Sequence, residues 1–167
     1  MKLTALISDT VGTLIASAYT DDQVKIGCIF GTGCNAAYMD RCGSIPKLAH
    51  MNLDPDLPMT INIEWGAFDN EHLVLPRTPY DIIIDEDSPR PGQQTFEKMI
   101  AGLYLGELFR LVLLEMHKKG YIFQGQDTQA LEKSYTLDSG FLATIEAYVF
   151  SDVLSGTVLT SEQRYLR

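Results

Sequence analysis

The sequence is poor in the residues that mark several common protein classes. Its 167 residues include three cysteines, one tryptophan, and 13 Lys and Arg against 22 Asp and Glu, for a formal net charge of −9. The cysteines (Cys28, Cys34 and Cys42) are odd in number and have no histidine at zinc-ligand spacing. We therefore interpret them as reduced, small apolar side chains in a cytoplasmic protein. The shortage of basic residues argues against a nucleic-acid partner.

The sequence also lacks a long hydrophobic run. The longest apolar stretch, residues 103–116, contains Glu107, Arg110 and Glu115, which excludes a transmembrane span. Asp9 follows the first apolar residues too soon for a secretory signal. The three histidines show no pairing, and no metal site is predicted. A composition of 46% hydrophobic and 21% charged residues is typical of a folded domain.

The hydrophobic pattern predicts a mixture of strands and helices, as in α/β or α+β proteins. We assign one domain to residues 1–150 and a poorly determined tail to residues 151–167. Pro and Gly residues predict a loop over residues 40–57. Strands are predicted at residues 3–8, 24–30, 59–65 and 80–84, and helices at 14–19, 93–118 and 140–150.

The first candidate for chemistry is Asp9. It follows a predicted buried strand, at the edge where open α/β sheets bind ligands. A carboxylate there can accept a proton from a substrate hydroxyl. The alternative is an N-cap for the helix that begins near Val11, because Asp is a preferred capping residue.

A second candidate is the turn formed by Gly31, Thr32 and Gly33, which also follows a predicted strand. Glycines leave backbone amides uncovered, so such a turn can bind phosphate oxygens, and Thr32 adds a hydroxyl. The pattern is weak because no Walker lysine follows it. The alternative is a plain hairpin turn.

Two glutamates and an amide complete the candidate set. Glu64 ends a predicted strand, Glu97 lies early in a predicted helix, and Asn35 follows the glycine turn. Gathered at one place, these groups would suit a ligand rich in hydroxyls. Taken singly, each glutamate is typical of a solvated surface charge.

Four motifs follow one another along the chain: SDTVGT at residues 8–13, IFGTGCNA at 29–36, NIEWGAF at 62–68 and RPGQQTFEKM at 90–99. Together and in this order they resemble the hexokinase family, and fungal hexokinases and glucokinases most closely. Residues 104–107 (YLGE) and 137–142 (LDSGFL) fit the same pattern, so that the resemblance runs from about residue 5 to residue 146.

The resemblance implies part of an actin-like ATPase (RNase H-like) domain, a mixed sheet with packed helices. It implies transfer of a phosphoryl group from ATP, with Mg²⁺, to the 6-hydroxyl of a hexose such as glucose, as in glycolysis. By position, Asp9 matches the general base. Three residues match groups that hydrogen-bond the sugar (Asn35, Glu64 and Glu97), and three match a turn that faces ATP (Gly31, Thr32 and Gly33).

Two departures from the family shape the hypotheses. Ser8 stands where the family usually has asparagine, and its shorter hydroxyl would reach less far toward the sugar. The family's enzymes are also much longer, with a first phosphate loop, a small domain and an adenosine-binding segment, so we expect a fragment or truncated form. The alternatives are a non-catalytic sugar sensor or regulatory protein and, last, a structural domain without ligand.

Overall fold

A computed structural model describes residues 6–154 of the chain, with side chains through residue 148. The chain divides into two compact units, Met1–Ala101 and Gly102–Arg167. The predicted division into residues 1–150 and a tail over 151–167 stays a prediction, and residues 155–167 lie outside the described part. Among the described helices, none has both the length and the hydropathy that crossing a bilayer requires.

The first unit contains a three-stranded sheet in the order β1-β2-β3. Strand β1 is Ile26–Phe30, β2 is Cys34–Arg41 and β3 is Pro58–Asn62. Both strand pairs are antiparallel, so the described residues show no parallel pair of the mixed sheet that was predicted. The predictions of β1 and β3 are confirmed, whereas β2 was missed.

Helix α1 (Asp9–Ala18) packs on one face of this sheet. Leu14 is 1% exposed, and a side chain at Gly27 would lie 2.8 Å from the backbone nitrogen of Leu14. Glycine at this position in β1 therefore lets the helix backbone approach the sheet closely. The predicted helix over residues 14–19 was correct in type but began five residues too late.

The strand predicted at residues 3–8 is wrong for its described part. Residues 6–8 have no strand pairing, and Leu6 is 92% exposed. Residues 3–5 lie outside the described residues. Strand β1 was expected to be buried, yet Ile26 and Phe30 are exposed because α1 covers only the opposite face.

The segment from β2 to α2 is less regular. It contains three 3-10 helices, Cys42–Ser44, Pro46–Met51 and Trp65–Ala67. The loop predicted over residues 40–57 thus contains short helical turns, and β2 extends into it as far as Arg41.

Helix α2 (Pro79–Glu86) occupies the place where a strand was predicted at residues 80–84. The Thr78 hydroxyl accepts a hydrogen bond from the N–H of Asp81, whose carboxylate accepts one from the N–H of Thr78. This capping box, with Pro79 at the first helical position, starts a helix despite the β-branched run that follows.

The single helix predicted over residues 93–118 is two helices, α3 (Thr95–Ile100) and α4 (Gly102–Lys118). Ala101 interrupts them with extended backbone dihedrals, φ −78° and ψ 149°. The apolar spacing continues across this break, so periodicity alone could not reveal it.

The second unit is helical. Helix α4 contacts α5 (Gln129–Glu132) and α6 (Ser139–Leu154), which confirms the helix predicted near residues 140–150. Glu107 and Arg110, both buried, form an ion pair at 2.5 Å. Burial alone would raise the pKa of Glu107, but hydrogen bonds from Arg110 and from the backbone N–H of Tyr135 hold that pKa below its ordinary value.

Candidate functional site

Asn62, at the end of β3, is the centre of a polar network in the first unit. Its side-chain oxygen accepts hydrogen bonds from the Thr10 hydroxyl at 3.0 Å and from the Asn35 amide at 2.9 Å. Its own amide nitrogen donates to Glu64. One side chain therefore joins α1, β2 and the segment after β3.

Asn35 and Glu64 also meet directly, with the Asn35 amide donating to Glu64 Oε1 at 3.1 Å. Asn35 Oδ1 accepts the backbone N–H of Ala36 at 2.7 Å. Both amide hydrogens of Asn35 are thus used within the protein, one on Asn62 and one on Glu64. Asn35 therefore holds the Glu64 carboxylate in place.

Ser8 and Thr10 extend the network to the start of α1. The two hydroxyl oxygens lie 3.1 Å apart, and Thr10 already donates its one hydrogen to Asn62, so Ser8 is the donor to Thr10. Ser8 Oγ accepts the backbone N–H of Val11 at 3.3 Å and is the N-cap of α1. Its hydroxyl hydrogen is therefore already engaged.

Asp9 is the first residue of α1, one position after the cap. The suggestion that Asp9 itself is the N-cap is wrong, as is its predicted place directly after a buried strand. Its Oδ1 accepts the backbone N–H of Thr10 at 2.8 Å, and the side chain is exposed. The carboxylate is therefore accessible beside the Thr10–Asn62 network.

Glu97, in the first turn of α3, reaches the start of β2. Its Oε2 accepts the backbone N–H of Cys34, the residue before Asn35, at 2.8 Å. A side chain at Gly33 would lie 2.6 Å from the same oxygen. Glycine at position 33 is therefore explained by the approach of Glu97. Burial raises the pKa of the Cys34 thiol, and the charge of Glu97 raises it further.

An aromatic cluster supports both glutamates. Trp65, the residue after Glu64, packs against Phe30 with ring centroids 5.5 Å apart and against Phe96 at 6.0 Å. Phe96 precedes Glu97 in α3. The Trp65–Phe96 contact is edge-to-face, a geometry that aromatic pairs prefer, so the cluster relates α3 to the segment that carries Glu64.

The three carboxylates share one arrangement. Each accepts protein hydrogen bonds through one oxygen, which is Oδ1 of Asp9, Oε1 of Glu64 and Oε2 of Glu97. Within the described residues, no hydrogen bond reaches the second oxygen of any of them. Glu64 also has a left-handed φ of 56°, a conformation that is costly outside glycine and concentrated at functional sites. The arrangement leaves three anchored acceptors for a ligand.

The glycine turn is the loop of the β1–β2 hairpin, in which the N–H of Gly31 donates to the carbonyl of Gly33 at 2.9 Å. The hairpin alternative is therefore structurally correct. A side chain at Gly31 would meet nothing closer than 4.0 Å, and Thr32 is exposed. Among the described residues, no contact accounts for glycine at position 31, which leaves room for a ligand there.

The predicted residues gather in the first unit, while two others were overlooked. Thr10 and Asn62 connect Ser8, Asn35 and Glu64, yet neither was singled out from the sequence. Both lie inside the quoted motifs at residues 8–13 and 62–68, so the signal was present. In the described part of the chain, no group of three His, Cys, Asp or Glu side chains is placed to hold a metal ion.

Comparison with known proteins identifies relatives over most of the chain. The sequence model of the family described as Hexokinase matches residues 25–163. This range contains Asn35, Glu64 and Glu97 and begins after Asp9. The chain is 64% identical to a hexokinase of Emericella nidulans and 54% identical to hexokinase-2 of Saccharomyces cerevisiae, in each case over 92% of this chain and 32% of the relative. It therefore spans about a third of the length of these relatives.

A solved structure is similar as well. The hexokinase of Schistosoma mansoni complexed with glucose matches with a TM-score of 0.74 and 33% identity, over 94% of this chain and 37% of that one. The resemblance seen in the motifs and the predicted fold class are thereby confirmed, since the chain has part of the actin-like ATPase fold of its structural neighbours. On the family match and these relatives, the chain belongs to the hexokinase family.

Proposed function

We propose that this chain carries the sugar-binding part of a hexokinase, which transfers a phosphoryl group from MgATP to the 6-hydroxyl of a hexose such as glucose. The observation that carries the proposal is the set of three carboxylates, each anchored through one oxygen with the other unengaged. Carboxylates accept hydrogen bonds from sugar hydroxyls, and anchored acceptors lose little entropy on binding. The glucose in the Schistosoma mansoni complex supports this ligand class.

The roles of the side chains follow from their chemistry. Glu64 and Glu97 accept hydrogen bonds from sugar hydroxyls, and Asn35 donates to the sugar after giving up one of its internal bonds. Asp9 accepts the proton of the 6-hydroxyl as the oxygen attacks the γ-phosphorus of ATP, while ADP leaves. Positioning and charge stabilisation supply most of the acceleration in such a transfer.

ATP binding is assigned to the hairpin turn between β1 and β2. Two residues of this turn, Gly31 and Thr32, are exposed, and Gly31 has no side chain to cover its backbone. Backbone amides and the Thr32 hydroxyl would bind phosphate oxygens there. Magnesium would arrive bound to the ATP phosphates, in keeping with its preference for few protein ligands. The chain would act in the cytoplasm, where its three cysteines would stay reduced.

A non-catalytic sugar sensor is the second candidate. Its support is Ser8, whose only hydroxyl hydrogen is donated to Thr10, so that it has no donor left for the sugar. Both candidates require sugar binding, and they differ in turnover.

Glucose titration of the whole chain tests the proposal, with fluorescence of its single tryptophan as the signal. Trp65 adjoins Glu64 and contacts Phe96, so bound sugar is expected to change its emission. Glu64→Gln and Glu97→Gln should each weaken binding about tenfold or more, because each removes a charged acceptor. The matched control Glu71→Gln, at an exposed position of the same unit, should leave the affinity unchanged.

Turnover is measured separately, as glucose 6-phosphate formed from glucose and MgATP. We expect very slow turnover or none from the 167-residue chain, and Asp9→Asn should abolish any that occurs while glucose still binds. Turnover that Asp9→Asn abolishes identifies the enzyme, whereas the sensor requires binding without turnover. If millimolar glucose changes neither the Trp65 fluorescence nor the thermal unfolding of the chain, both candidates are overturned.

A further inference from the structure

Asp85, near the end of α2, is the centre of a buried charge cluster that the sugar-binding proposal does not use. It is 7% exposed, and its Oδ1 lies 2.7 Å from the ammonium of Lys98, which is 5% exposed. The guanidinium of Arg77 lies 3.5 Å from Oδ2. Burial alone would raise the pKa of Asp85, but the hydrogen bond from Lys98 and the neighbouring charges hold that pKa below its ordinary value.

The same carboxylate also holds the backbone that leads into α3. The N–H of Gly92 donates to both Asp85 oxygens, at 3.0 and 3.1 Å. The Lys98 ammonium donates in addition to the carbonyl of Arg90 at 2.7 Å. Asp85 therefore fixes both the loop before α3 and a side chain within α3.

Helix α3 cannot set its own position. It has only six residues, begins after Gln94 with a left-handed φ of 56°, and has no side-chain cap. A helix of one to two turns is unstable alone, so its orientation depends on the contacts that its side chains make. Lys98 provides the charged contact, and the next residue toward the N-terminus is Glu97.

The carboxylate of Glu97 must be placed closely to do its work. Its Oε2 meets the N–H of Cys34 at 2.8 Å, between Gly33 and Gly66, which both lack side chains that would obstruct it. A rotation of α3 about its axis, or a slide along it, would lengthen this contact. The ion pair of Lys98 with Asp85 opposes both motions.

We propose that Asp85 is a positioning residue that places Glu97 for sugar binding by holding Lys98 and the loop before α3. The role in sugar binding rests on the proposed function, whereas the placement of Glu97 at Cys34 does not. Asp85 contacts no ligand in this scheme and acts through α3.

The experiment uses the whole chain and two independent readouts. The first, without sugar, is the NMR chemical shift and hydrogen exchange of the Cys34 amide, which report its bond to Glu97. The second is the glucose affinity measured by Trp65 fluorescence. Asp85→Asn should shift the Cys34 amide, speed its exchange and weaken glucose binding about tenfold or more, as expected for loss of a charged hydrogen bond.

Two further variants separate positioning from stability. Ile84→Val trims a buried side chain of the same helix without touching the ion pair, so it should lower stability while leaving the Cys34 amide and the affinity unchanged. The double variant Asp85→Asn with Lys98→Met removes both buried charges, and such replacements often restore stability. It should fold even where Asp85→Asn does not, and still show the altered amide and the weaker binding.

The outcomes are distinct. An unchanged Cys34 amide in the folded double variant overturns the positioning role, whatever happens to glucose. If the amide shift appears in Ile84→Val to the same extent as in the double variant, a general loss of stability is the cause and the proposal is wrong. Failure of the unaltered chain to bind glucose overturns the proposed function instead, while the amide readout still decides the placement of Glu97.

Discussion

The Glu97 carboxylate accepts a hydrogen bond from the backbone N–H of Cys34 at 2.8 Å, across 63 residues of sequence. This bond attaches the short helix α3 to the start of β2, one residue from Asn35. It depends on Gly33, because a side chain there would lie 2.6 Å from the accepting oxygen. The contact with Glu97 therefore explains why residue 33 is glycine, although the turn also resembles a phosphate-binding sequence.

The first prediction compares the two glycines of that turn. Gly33→Ala should push the flexible Glu97 carboxylate away from the Cys34 N–H and lower the free energy of unfolding by about 1–3 kcal/mol, the usual worth of a hydrogen bond to a charged group. Gly31→Ala should cost little, since its added carbon meets nothing closer than 4.0 Å. Urea unfolding of both variants measures the difference. Equal losses of stability would contradict the role given to Gly33.

The Gly31→Ala variant also addresses ATP. Because the part of the chain that the structure describes leaves the space beside Gly31 open, an effect of this change on nucleotide binding points to the ligand. We expect Gly31→Ala to weaken binding of MgATP by the chain while leaving its stability unchanged, as measured by calorimetric titration and urea unfolding. Unaltered nucleotide affinity would remove the support for phosphate binding at this turn.

Much of the candidate site could be predicted because its residues lie in short motifs whose order is distinctive. Asn35 and Glu64 are separate candidates in the sequence, and in the structure the Asn35 amide nitrogen lies 3.1 Å from Glu64 Oε1. Asn62 lies within the motif at residues 62–68, but residue type alone does not tell which members of the motifs meet in the fold. Only the antiparallel pairing of β2 with β3, which sets Ala37 opposite Asn62, brings it between Thr10 and Glu64.

The wrong elements of the fold have physical reasons as well. The run of isoleucines after Tyr80 favours a strand by residue preference, but the Thr78–Asp81 capping box satisfies the first helical amides and prevails. The apolar spacing through Ala101 suggested one helix, because two consecutive helices can keep the same period across a single extended residue. The spacing of apolar residues shows which face of a helix is buried, but it does not show where the backbone leaves the helical conformation.

Gly106, in the second unit, allows a similar test of close backbone packing. A side chain at Gly106 in α4 would lie 2.2 Å from the carbonyl oxygen of Leu137, and backbone atoms there cannot rotate away. Gly106→Ala should therefore lower the free energy of unfolding by about 3 kcal/mol or more. Gly140→Ala in α6 is the matched control, with a nearest contact of 3.3 Å to a side chain, and should be close to neutral. Circular dichroism during urea unfolding measures both.

Acid should weaken the second unit through Glu107. Its pKa is lower in the folded chain than its ordinary value of 4.5. The unfolded chain therefore binds a proton first as the pH falls, so this stabilisation is complete above pH 4.5 and disappears as the pH drops through the folded pKa.

The double variant Glu107→Gln with Arg110→Met removes the buried pair and should flatten this acid dependence. The control Glu115→Gln breaks an exposed pair with Lys119 and should leave the dependence nearly unchanged. Unfolding free energies measured by urea titration from neutral pH downward decide between them. An acid dependence that persists unaltered in the double variant would assign it to other carboxylates.

Two buried threonines should respond in opposite directions to the loss of a hydroxyl. Thr95 is 4% exposed, and its Oγ1 has no hydrogen-bond partner among the described residues. Thr10 is fully buried, and its hydroxyl bonds Asn62 and Ser8. Thr95→Val should raise the free energy of unfolding by about 1 kcal/mol, because it removes an unpaired buried polar group of nearly the same shape. Thr10→Val should lower it by about 1–3 kcal/mol, because it leaves two partners unsatisfied.

Urea unfolding of the two valine variants provides the comparison, and the hydrogen bond from the Thr95 N–H to Asn70 remains in both. Thr95 borders a cavity of ≈ 10 Å³ that Arg77, Asp85 and Lys98 also line. A cavity of that volume has room for one water molecule at most. If Thr95→Val destabilises the chain as much as Thr10→Val does, the Thr95 hydroxyl bonds a water molecule in this cavity, and the expected gain in stability is refuted. A gain in stability instead means that the buried charges satisfy one another without it.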